Sequence, residues 1–126
     1  MKSYTDLEQS KKLAEFLPLE SADMYYHNRV DIPDNFPLPI EWKHNNPLLS
    51  QEIPCWSLAA LLDYLCEIDF FPEIEADEHG VTMSINYYDE EEARLLAPVH
   101  NIKVKAESFI DACVAIIIKL SELKML

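Results

Sequence analysis

The sequence predicts an α+β domain in which a small antiparallel sheet packs against the C-terminal helix. Three observations carry this. Residues 81–88 alternate, with Val81, Met83, Ile85 and Tyr87 set against Thr82, Ser84, Asn86 and Tyr88. That period of two marks a strand with one buried and one wet face. Residues from Phe109 to about Lys124 are apolar on nearly every side through Ile118, as in a helix covered on more than one face. The chain has 126 residues, 49% of them hydrophobic and 26% charged. That suits a single domain over 1–126, large enough to bury a core without disulfide or metal support.

The elements follow in chain order. Thr5 and Glu8 match the S/T-x-x-E capping box, and Leu7, Leu13, Ala14, Phe16 and Leu17 give a first helix its apolar face. Pro18 ends it, because the residue before proline is pushed out of helical geometry. Ser21 is placed to cap a second short helix over Ala22 to His27. Residues 28–54 hold Pro33, Pro37, Pro39, Pro47 and Pro54. They read as an irregular segment with a short strand around Ile40 to Lys43, wrapped over the core or functional. Ser57 to Cys66 reads as a helix with Leu58, Leu61, Leu62 and Leu65 on one face. Residues 74–88 form a hairpin turning at Glu78-His79-Gly80, where the only glycine supplies a positive φ at least cost. Asp89 to Leu96 reads as a loop or helical turn, and a third strand is expected near 100–105. The last helix is capped by Ser108, with Asp111 three residues on. Its Ile116-Ile117-Ile118 run alone would suit a strand.

Charge is uneven. The 23 acids and 10 bases give a net −13. Residues 31–72 hold seven acids and one base, and residues 73–92 hold eight acids and no base. A binder of nucleic-acid phosphates would be basic, so direct nucleic-acid contact is not expected. One glycine cannot build a P-loop or a dinucleotide fingerprint. No apolar run approaches a membrane span, since the longest, Ala112 to Ile118, is bounded by Asp111 and Lys119. Lys2, Asp6, Glu8, Lys11 and Lys12 leave no uncharged signal stretch at the start. Cys55, Cys66 and Cys113 are three and widely spaced, which fits a reducing cytoplasm better than a disulfide framework.

Reactive constellations are scarce. His27, His44, His79 and His100 form no zinc spacing with each other or with a cysteine, so neither metal nor cofactor is expected. Cys55 precedes Trp56 and a helix start, a setting that can lower a thiol pKa. A nucleophile there would need a histidine in reach; otherwise Cys55 is a small buried residue. The aromatic residues are more suggestive. Trp42, Trp56 and Tyr88, with the acids Glu90, Glu91 and Glu92, are the residues expected to face a partner. The alternative is that such rings cover the core's margin with their polar atoms toward water.

Tyr4 to Ala14, Glu20 to Met24, Pro54 to Leu62 and Asp111 to Cys113 resemble a family of small uncharacterised bacterial proteins, often encoded in prophage-like or mobile regions. The resemblance implies a bacterial or phage origin and a cytoplasmic setting, and no activity is assigned to that family. The hairpin, third strand and following helix are also similar in topology to the HicB-type antitoxins. Three functions are therefore expected in order. First is a non-enzymatic acidic interaction protein that binds a protein partner of basic character. Second is an inhibitor or nucleic-acid mimic, antitoxin-like or directed against host defence, that occupies a basic groove. Third is a small Cys-dependent enzyme. No membrane contact is expected, and exposed sheet edges leave a homodimer open.

Overall fold

The computed structural model describes residues 3–27, 36–87 and 100–126. Among them the fold is α+β, with three helices and two antiparallel sheets of three strands each. The helices are α1 (Leu7–Leu13), α2 (Leu58–Glu67) and α3 (Phe109–Glu122). The first sheet joins β1 (Met24–Tyr26), β2 (Leu38–Pro39) and β3 (Ile53–Cys55) in the order β2-β1-β3. The second joins β4 (Glu73–Asp77), β5 (Gly80–Tyr87) and β6 (His100–Ala106) in the order β4-β5-β6.

The second sheet and α3 match the sequence expectation. Asp77 pairs with Gly80 across a two-residue turn, and the outer strands pair with β5 in continuous antiparallel register. Gly80 is required twice. Its φ is +140°, and a Cβ there would lie 2.6 Å from the Ala106 carbonyl oxygen. Val81, Met83 and Ile85 of β5 and Ile102 of β6 turn inward and are buried. They meet α3, which also touches α1 and α2. This enclosure explains why α3 is apolar all round: Ile110, Ala112, Cys113, Val114, Ile116, Ile117 and Leu120 are all buried. Ser108 caps it by accepting the Asp111 N–H at 3.1 Å. Asp111 in turn accepts from the Gln9 amide at 2.7 Å, tying α1 to α3.

Three local expectations are corrected. The first helix is capped by Asp6, not Thr5: Asp6 accepts the Gln9 N–H, and the Gln9 side chain accepts the Asp6 N–H. Thr5 is fully buried and has other partners. Residues 24–26 form a strand rather than part of a helix over 22–27. Met24 and Tyr25 pair with β2 and β3 on either side, so sheet pairing outweighs the helical signal at Ser21. The Pro-rich stretch supplies β2 and β3, while Ile40–Lys43 is a 3-10 turn, not a strand. Pro39 and Pro54 lie in the two outer strands of that sheet, where a missing N–H is tolerated. The segment Asp89 to Leu96 lies outside the described residues.

The helix ends reflect the lack of glycine. Asp69 after α2 and Lys124 after α3 take the left-handed conformation, with φ of 63° and 58°. Phe70 N–H bonds Leu65 O and Met125 N–H bonds Leu120 O. Both are Schellman closures, with an apolar residue folded back on the core.

Candidate functional site

The residues expected to face a partner fall into three situations. Trp42, on the 3-10 turn Ile40–Lys43, is 60% exposed. Trp56 is corrected: it has no exposed surface, and its indole N–H donates to Ser21 Oγ at 2.9 Å. It is a core ring with a satisfied polar handle and offers nothing to a partner. Tyr88, Glu90, Glu91 and Glu92 lie outside the described residues.

Cys55 sits in a buried polar node rather than a reactive one. The Thr5 carbonyl accepts the Tyr26 hydroxyl at 2.7 Å, and the Cys55 thiol lies 3.4 Å from the same oxygen. Thr5 Oγ1 lies 2.7 Å from Ser10 Oγ and accepts the Trp56 N–H at 3.2 Å. Burial pushes the Cys55 thiol up, against the lowering effect of Thr5, Ser10 and Tyr26. Nucleophilic use requires the opposite shift and an accessible sulfur. The neighbours that hold this thiol include no histidine.

His27 lies elsewhere, against a buried carboxylate. The Glu52 side chain is 1% exposed, and Oε1 accepts from Lys43 Nζ at 2.5 Å and from the Leu49 N–H at 2.8 Å. His27 Nε2 stands 3.6 Å from Oε2, while His27 Nδ1 is buried without a hydrogen-bond partner. Burial alone would raise the Glu52 carboxyl, yet Leu49, Lys43 and His27 together hold it below its ordinary value. Lys43 also lies 5.4 Å above the Tyr25 ring. This cluster pins the loop after the 3-10 turn to the first sheet. Among the described residues no three His, Cys, Asp or Glu side chains are grouped to hold a metal ion. Among them, too, no helix is long and apolar enough to cross a membrane.

The acids are arranged more pointedly than the rings. A cleft of about 410 Å³ opens between the 3-10 turn Leu19–Ser21 and α2. Glu20, Asp23, Asp63 and Glu67 line it together with Ala59, Ala60 and Tyr64. Among the described residues no lysine, arginine or histidine lines it. Asp23 is engaged, since both its oxygens accept from Ser57. Glu20, Asp63 and Glu67 have no cation within ion-pair distance among the described residues. Asp63 and Glu67 are one helical turn apart, and Glu67 closes α2 at the negative end of its dipole. Burial pushes the Tyr64 phenol up, and Glu67 adds to that. The sequence held the signal, because α2 carries two acids and no base. The partner acid Glu20 was not readable, since only the fold brings residue 20 to residue 63.

A second acidic row lies on β4. Glu73, Glu75 and Asp77 share the outward face of the second sheet, and Lys103 and Lys105 share that face two strands away. The face is thus banded, with acids along β4, Thr82 and Ser84 along β5, and lysines along β6. No protein-family model, curated protein or solved structure matches this chain.

Proposed function

We propose that the protein acts by binding, without catalysis, and that its partner is a protein of basic character. The cleft between Leu19–Ser21 and α2 receives a lysine or arginine side chain of that partner. The observation that carries this reading is the set of carboxylates Glu20, Asp63 and Glu67, without an ion-pair partner among the described residues, beside Ala59 and Ala60. Like charges one helical turn apart cost a few tenths of a kcal/mol, and an acid in the last helical turn opposes the dipole. An arriving cation reverses both effects. Ala59 and Ala60 accept its methylene stem, and the Tyr64 ring that also lines the cleft suits a cation–π contact. The net charge of −13 brings such a partner in faster at low salt.

A nine-residue arginine peptide titrated into the protein tests the site. The expected chemical-shift changes centre on Ala59, Ala60, Asp63 and Tyr64. Asp63→Asn with Glu67→Gln should weaken binding about tenfold, equal to about 1.4 kcal/mol, without loss of stability. Removing the same charge at Glu107 and Glu122 should weaken it far less. Equal losses in the two double variants would mean diffuse attraction and would end the reading.

A further inference from the structure

We propose that the outer edge of β4 is a docking site for an extended segment of a partner protein in which basic and apolar residues alternate. In the second sheet β4 is bonded only to β5, so its other edge is unpaired among the described residues. All five residues of β4 are exposed. Such an edge presents a row of outward N–H and C=O groups, a template for one more strand. No proline or bulge interrupts Glu73–Asp77, so nothing in the strand itself blocks pairing.

The two faces of the edge differ, and the difference specifies the occupant. Inward, α3 packs chiefly on β5 and β6. Ile74 and Ala76 form a partly exposed apolar ledge, with Ile74 38% exposed and Phe71, three residues before it, 65% exposed. Outward, Glu73, Glu75 and Asp77 stand at every second position, about 6.8 Å apart. A strand added here places alternate side chains on the ledge and beside the carboxylates. Apolar residues fit the first set and lysine or arginine the second. A second copy is disfavoured: two β4 edges meeting about a twofold axis would set carboxylate against carboxylate.

This site shares no residue with the cleft, so its failure leaves that reading standing. The test uses the full chain and a peptide of about twelve residues alternating lysine and valine. Its control has the same composition with lysines and valines in separate blocks. The alternating peptide should slow amide hydrogen exchange within residues 73–77 about tenfold, and the block peptide should not. Glu73→Gln with Glu75→Gln should weaken that slowing at 73–77 several-fold, while Glu8→Gln with Glu122→Gln, exposed acids outside both sites, leaves it unchanged. No slowing at 73–77, equal slowing by both peptides, or slowing that grows with protein concentration alone would overturn the proposal. The last result would show a second copy on the edge.

Discussion

Glu52 illustrates how a single side chain settles what its sequence neighbourhood does not. Its carboxylate is buried and bonded to Lys43, which is itself only 13% exposed at the side chain. Removing the charge strands a mostly buried ammonium. Glu52→Gln should therefore cost about 2–3 kcal/mol in urea unfolding. The same group sets part of the acid response. The folded carboxyl is held below its ordinary 4.5, so its contribution is whole above about that pH and is lost as pH falls through the lower folded value. Wild type should lose stability over that acidic range by more than Glu52→Gln does, as measured by urea midpoints at stepped pH. None of this was legible from residues 27, 43, 49 and 52, whose spacing follows no period. Cys55 was legible as a small buried residue, because nothing near it in sequence supplied a base. Trp56 was misjudged as a partner-facing ring because its anchor, Ser21, is remote in the chain.

At the scale of elements, periodicity succeeded where one face of a segment is buried over several residues. β5, the third strand, α2 and α3 all carry such a face. It failed at β1, β2 and β3, each of three residues or fewer, too short for a period to register. There, pairing across the sheet decides, and prolines that look like strand breakers lie harmlessly on outer strands. The β4–β5 turn carries the sharpest test. Gly80→Ala combines an unfavourable φ with a contact against backbone that cannot swing aside. It should cost about 2–4 kcal/mol in thermal or denaturant unfolding. A loss under 1 kcal/mol would mean the end of β6 can shift to accept a methyl group.

For the molecule as a whole, one core runs from Leu13 and Leu17 through Trp56, Leu61 and Leu65 to the sheet and α3. Its class was readable because a C-terminal helix apolar on every side must be enclosed. The first sheet, the acidic cleft and the exposed edge of β4 were not readable, because each is made by residues brought together from distant parts of the chain. The proposed binding surfaces belong to this scale. They lie where acids have no ion-pair partner among the described residues, and the charge of −13 extends their reach.

The sealing of Cys55 under Thr5 has a practical corollary. Of the three thiols, Cys66 is exposed, Cys55 is buried with Thr5 of the N-terminal segment against its sulfur, and Cys113 lies inside α3 against Met83. Burial pushes the Cys113 thiol up to about 12, which further slows its chemistry. The trio is a built-in gauge of three depths. Under a thiol reagent in native buffer, Cys66 should be labelled at once, Cys55 at the pace at which the strap bearing Thr5 lifts away, and Cys113 only with global unfolding. Mass spectrometry of the timed products would read the order, and Cys113 reacting ahead of Cys55 would contradict it.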